Sequence, residues 1–365
     1  MSTCLVGSEM CIRDSTKDLH EIVKLEATNL NLSIVSIESG FGPKELPDWG
    51  GRHFRLLKKP QIAIMSHSGF NSYDVGVSWW SIDHHLGIRH SQLDSSLTGY
   101  GDLRRYNTII LPSGSPNLND YSTNMLIDWV KQGGTLIANN RSTRSIISND
   151  SFGSVKNLNA TFDKSKTYNI DLMKEIYSMK ENIDISDANN NKVNSEISYP
   201  WESSDVNYSK EQLQMRDKWQ STLMPSGAIV SARVDNEHWL TFGADDVVPV
   251  LYGNYPILMT GGNSQAALRI GELIPNENSV SKTINWSQIP SGYDLNVKMS
   301  GLVWPEASQR IANSAYLTRE KVGKGQIILF SGEPNFRGSA RGTNRLWLNA
   351  VVYGSGLGTD SIVKP

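Results

Sequence analysis

The feature that most constrains this chain is a regular exchange between two hydrophobic periods from Pro60 to Ala138. Gln61–Met65 reads as a short strand buried on both faces. After the loop Ser66–Ser72, the residues Val75, Trp79, Ile82 and Leu86 fall at helical spacing, with Asp74 placed to cap the helix and Gly87 to end it. Ile88–Leu93 is the next strand, and Tyr106–Leu111 another, running into Pro112–Pro116. A second helix places Met125, Leu126, Trp129 and Val130 on one face and closes at Gly133–Gly134, before the strand Thr135–Ala138. Strands and helices that alternate through short connections predict an α/β fold, with a mainly parallel sheet covered on both faces.

The remainder is less regular. Asp18–Leu30 is a plausible helix, Ser33–Ile37 a possible strand, and Gly40–Arg55 a Gly- and Pro-rich linker. From 149 to 221 Asn, Ser, Asp and Lys dominate, which predicts a polar insertion, helical around Leu172–Met179 and without a core of its own. Ala228–Val234 is a strand. Ala315–Val322 and Gln326–Ser331 read as a hairpin turning at Gly323–Gly325. Thr343 can cap a last helix whose Leu346, Trp347, Ala350 and Val351 face inward.

The 365 residues are 38% hydrophobic and 20% charged, with a net charge of -2. This balance, without any basic cluster interleaved with aromatics, argues against nucleic-acid binding. No apolar run approaches the roughly 20 residues of a membrane span. Both cysteines, Cys4 and Cys11, lie in residues 1–15, MSTCLVGSEMCIRDS. That stretch lacks the basic start and apolar core of a signal peptide. It resembles translated sequencing-adapter read-through at the end of a metagenomic gene fragment, so the natural protein is expected to begin upstream.

No histidine has Glu three positions on, and no H-E-x-x-H occurs, so zinc-peptidase ligation finds no match. His84 and His85 are adjacent, and neighbours on a helix point about 100° apart, which suits a solvated helix end better than chelation. Amidotransferase-type thiol chemistry needs a cysteine at the sharp turn after a central strand. Asn139–Ser142 stand there instead, without a flanking glycine. Ser113 and Ser115 lie just after a strand but lack the G-x-S-x-G form. His238–Trp239 and Asn335–Gly338 read as loop locks.

Four segments resemble the C-terminal region of large bacterial M14-type zinc carboxypeptidase-like proteins. They are Phe54–Ala63 (FRLLKKPQIA), Val234–Gly243 (VDNEHWLTFG), Met299–Ala307 (MSGLVWPEA), and Gly323–Phe330 (GKGQIILF) followed by Glu333–Gly338 and Gly342–Leu346. The resemblance implies a flavodoxin-like, class I glutamine amidotransferase-like three-layer sandwich with a polar insertion and an added β-hairpin. The implied division is a remnant and linker over 16–58, the α/β domain over 59–148 and 222–358, and the insertion over 149–221. It also implies a bacterial, exported (periplasmic or secreted) protein. Zinc and the catalytic glutamate would belong to an upstream peptidase domain, and none of their positions is matched here.

The expectation is therefore a non-catalytic accessory domain without a cofactor of its own. It would pack on, or present peptide substrate to, a peptidase domain of the same polypeptide. The alternative is a small-molecule, peptide or glycan-binding module with a cleft at the strands' C-terminal ends, where Ser66, His67, Ser113, Gly114, Asn140 and Glu333 would converge. A serine hydrolase using Ser113 or Ser115 with His67 is the third reading.

Overall fold

The computed structural model describes residues 18–34, 39–41, 48, 57–94, 102–116, 118–178 and 208–359. The N-terminal 15 residues, most of the segments 33–37 and 40–55, and the middle of the polar segment lie outside them. The chain divides into two units, Met1–Leu57 and Lys58–Pro365. In the first, helix α1 (Leu19–Asn29) is present as the spacing predicts, though only its Ala27 is buried.

The second unit holds the sheet. Its elements run β1 (Ile62–Ser66), α2 (Ser72–Trp80, continued by a π-helical turn Ser81–Leu86), β2 (His90–Asp94), β3 (Thr108–Leu111), α3 (Asp120–Lys131), β4 (Thr135–Asn139) and α4 (Asn140–Ile147). After the short β5 (Lys156–Asn157) come α5 (Ser165–Ser178) and α6 (Lys210–Ser221). Then follow β6 (Ala228–Val234), β7 (Val247–Tyr252), β8 (Leu258–Met259), β9 (Ser264–Ile270), β10 (Glu272–Pro275), β11 (Lys282–Ile284), β12 (Ser287–Ile289), β13 (Tyr293–Asn296) and β14 (Lys298–Ser300). Helix α7 (Pro305–Ile311), β15 (Ala315–Val322), β16 (Gly325–Phe330) and α8 (Arg341–Tyr353) complete the unit.

The main path of the sheet is β14-β6-β9-β15-β16-β4-β3-β1-β2. From β16 to β2 every pairing is parallel; from β16 to β14 every pairing is antiparallel. The expected hairpin β15–β16 is thus the seam between a parallel half and a larger antiparallel extension.

Side chains alternate across the parallel half with the period of a strand. Ile62, Ile64, Ile110, Ile137, Ile328 and Phe330 enter one core, with Val75, Ile82, Leu346 and Trp347 from the helices. Ala63, Met65, Ile109, Leu111, Leu136 and Ala138 enter the other, with Leu126, Trp129, Val130 and Ile146. Burial on both faces is why these strands read as continuous apolar runs. The architecture is a three-layer α/β sandwich of the flavodoxin-like, class I glutamine amidotransferase-like kind.

Several local expectations need correction. Asn71, not Asp74, caps α2, accepting from the Tyr73 N–H at 2.9 Å. Thr343 lies inside α8, and its hydroxyl reaches the Pro334 carbonyl. The described ends of the polar segment are not separate from the core. Phe162, Leu172, Met173, Ile176 and Leu213 all pack into it, and their spacing was masked by the charged residues between them. Gly87, by contrast, does end the α2 turn in a left-handed conformation. His238 locks its loop through Nδ1, which accepts from the Leu240 N–H at 3.1 Å.

Candidate functional site

The chain leaves β1 toward one neighbour, β2, and later returns on the other side through β3. Such a switch point opens a crevice at the strands' C-terminal ends. Here the two loops are stitched together. The Asn71 N–H donates to the Ser113 carbonyl (2.9 Å), and the Ser115 N–H donates to the Gly69 carbonyl (2.6 Å). Gly114 is required by that approach, because a Cβ on it would lie 2.7 Å from the Phe70 Cα.

The next strand end carries the elbow. Asn139 finishes β4 and Asn140 begins α4 at φ 46, the left-handed conformation of a nucleophile turn. A flanking glycine is unnecessary because asparagine tolerates this region unusually well among non-glycine residues. The turn is held from inside. Thr143 Oγ1 donates to the carbonyls of Ala138 and Phe330, both at 2.8 Å, and Ser142 donates to that of Pro112. From the end of β16, Glu333 Oε1 accepts a hydrogen bond from Asn140 Nδ2 at 2.8 Å.

Four of the six sequence-derived residues, Ser113, Gly114, Asn140 and Glu333, line one cavity of about 740 Å³, together with Arg141 and Tyr255. Ser66 and His67 do not. The Ser66 hydroxyl is turned to the Leu93 carbonyl (3.2 Å) and to His67 Nδ1 (2.8 Å), on the β2 side of the loop. Among the described residues no histidine lines this cavity, so the His67 that a serine hydrolase would need is not on it beside Ser113 and Ser115.

Glu333 also borders a second cavity, of about 730 Å³, with Asp74, Val77, Trp80 and Phe336. Asp74 is 9% exposed. Burial raises its carboxyl from 3.8 to about 7, with the charge of Glu333 adding to the rise and Arg141 opposing it. Sequence alone placed Asp74 at a helix cap. The usable signal was its position among Val75, Ser78 and Ile82 on the buried face. Tyr255 is likewise pushed far up, by burial first and then by Glu333 and Asp74. Among the described residues no group of three or more His, Cys, Asp or Glu is placed to hold a metal ion. No described helix is long and apolar enough to cross a membrane.

Two outcomes are expected. The folded protein holds the Asp74 proton across roughly pH 4 to 7, where the unfolded chain has released it. Stability therefore falls as pH rises through that window, and Asp74→Asn should abolish the fall, gaining about 2 kcal/mol over the parent near pH 8. Urea denaturation of both proteins at several pH values measures this; parallel pH profiles would refute it. Asn140→Ala places Cβ chemistry poorly suited to positive φ at the elbow and frees Glu333, and should cost about 1–2 kcal/mol, with Asn140→Gly costing less.

The sheet order and the left-handed turn at Asn140 are those of a flavodoxin-like, class I glutamine amidotransferase-like α/β domain. No family model matches the chain, and neither does any curated protein. Among solved structures it is similar to a protein described as ThuA-like from Bacteroides uniformis ATCC 8492, at 12% identity and a TM-score of 0.37, over 82% of this chain and 94% of that one. A ThuA-like protein from Parabacteroides merdae ATCC 43184 matches at 9% and 0.37, over 84% and 93%. A β-galactosidase from Bacillus circulans sp. alkalophilus matches at 11% and 0.37, over 82% of this chain and 32% of its own. At those values the likenesses do not bear on activity.

Proposed function

We propose that this chain is a non-catalytic accessory domain of an exported zinc carboxypeptidase-like protein, and that the C-terminal edge of its sheet binds rather than transforms. The observation that carries the non-catalytic part is Asn140. It occupies the elbow at φ 46, and its amide is tied to Glu333 at 2.8 Å. An amide nitrogen, its lone pair delocalised into the carbonyl, cannot serve as the nucleophile that a thiolate or activated hydroxyl supplies there. Attachment to a peptidase rests on the four sequence segments that resemble that family.

The alternative of a binding module is compatible with this, and the two open cavities on either side of Glu333 favour it. The test is direct. The purified chain should hold no stoichiometric zinc, should leave C-terminally blocked and free peptides intact, and should not react with a fluorophosphonate at Ser113 or Ser115. One tightly held zinc per chain, peptide cleavage by the chain alone, or labelling at either serine would overturn the reading. Sequencing the gene upstream tests the attachment: an encoded peptidase domain supports it, and a free-standing gene removes it.

A further inference from the structure

Buried carboxylates are ordinarily paired with a cation or placed on a metal, because moving an isolated charge out of water costs several kcal/mol. The second cavity holds an acid with neither partner, which burial keeps protonated up to neutral pH. Asp74, 9% exposed, lines it without a hydrogen bond or ion pair to its carboxyl among the described residues. Glu333 shares the cavity, and one of its oxygens accepts only the neutral amide of Asn140. The two cations nearby leave the acids unpaired. Arg337 is held over the Phe336 ring, 5.1 Å from its centroid, and Arg141 is exposed on α4.

The remaining lining is partly apolar, and its tryptophan is held in place. Trp80 stacks on His84 at 4.9 Å and 15°, and the Gly338 backbone closes on it, so that a Cβ there would meet the ring at 3.0 Å. Arg337 and Gly338 take left-handed backbone (φ 49 and 69) to make that approach. His84 occupies one face of Trp80 and Arg337 one face of Phe336, and Trp80 is still 39% exposed. Val77, Trp80 and Phe336 supply the apolar part of the lining beside Asp74 and Glu333, with Asn71, Tyr73 and Arg337 on it as well.

We propose that this cavity binds a protonated alkylamine, its methylenes against Val77, Trp80 and Phe336 and its ammonium between Asp74 and Glu333. The ammonium could come from a free amine or from a lysine side chain of a peptide. The proposal rests on the reading of this edge as a binding surface and needs no upstream domain. The charges that act on Asp74 are those of Glu333 and Arg141, Tyr255 lies within reach of its field, and Arg337 lines the same cavity. Glu333 and the ligand pull in opposite directions on the Asp74 proton, so binding releases it and affinity rises with pH through neutrality.

The test uses the full chain, titrated by calorimetry and by NMR with n-butylamine, n-butanol, a blocked Ala-Lys-Ala peptide and its Nε-acetylated form. Butylamine should bind saturably, with a dissociation constant on the order of a millimolar for so small a ligand. Butanol and the acetylated peptide should bind at least about tenfold more weakly, and affinity should fall about tenfold from about pH 8 to about pH 6. Asp74→Asn should cost a similar factor while its melting temperature stays level or rises, which separates lost recognition from lost folding. Peptide binding much tighter than butylamine assigns the lysine source; equal binding assigns a free amine. Equal affinity for butylamine and butanol, an unchanged affinity in Asp74→Asn, or no saturable amine binding would overturn the proposal. Binding of a neutral sugar at this cavity in place of the amine would overturn it too, while leaving the accessory-domain reading to its own zinc and turnover assays.

Discussion

Asp217→Ala should destabilise the protein by about 3–5 kcal/mol, one of the two largest single effects expected here. Asp217 on α6 meets Arg310 on α7 through two hydrogen bonds, Nε to Oδ1 at 2.8 Å and Nη2 to Oδ2 at 3.3 Å. Both side chains are only 10% exposed. Removing the carboxylate leaves a guanidinium in a site that water barely reaches. The loss is that of an uncompensated buried charge, not the small value of a surface pair. The paired change Asp217→Leu with Arg310→Met removes both charges and should recover most of the loss. Chemical denaturation of the parent, single and double variants measures this; a single-variant loss below about 1 kcal/mol would refute it. The effect should also reach the site. Ser221, the last residue of α6, and Thr222 and Met224 just beyond it line the elbow cavity, so a loosened α6 loosens that lining.

Trp347→Ala is the second, also expected at about 3–5 kcal/mol. Trp347 is fully buried on α8, beside Leu346, Ala350 and Val351, which are equally inaccessible. Truncation opens a cavity the size of an indole in a layer that cannot collapse, because rigid strands form its other wall. Trp347→Phe should cost considerably less. It keeps most of the apolar volume and removes an indole N–H that has no partner among the described residues. Comparable losses for Ala and Phe would show that the site tolerates neither change and that the cavity argument is wrong.

These two residues differ in how far the chain itself announces them. Trp347 is legible: with Leu346, Ala350 and Val351 it forms an inward stripe at helical spacing, and the helix forms where that stripe predicts. The parallel strands are legible for a related reason, since burial on both faces demands consecutive apolar residues. Asp217 carries no such mark. On the page it is one more charge in a polar segment, and its partner lies 93 positions away. The polar character of 149–221 similarly hides Leu172, Ile176 and Leu213, whose side chains join the core once α5 and α6 form.

The candidate site divides along the same line. Periodicity and turn chemistry by themselves determined the approximate strand ends, the place of the turn at Asn139–Ser142 and the absence of a thiol in it, but not its left-handed backbone at Asn140, against which the missing glycine argued. They determined these because each depends on residues only a few positions apart. The tertiary structure alone decided that Asn140 meets Glu333, 193 positions on, that Ser66 and His67 turn away toward β2, and that Asp74 is buried beside Glu333. Those are contacts between strand ends brought together by sheet order. Sheet order is set by how whole apolar faces pack, a sum over many distant residues that leaves no local trace in the chain.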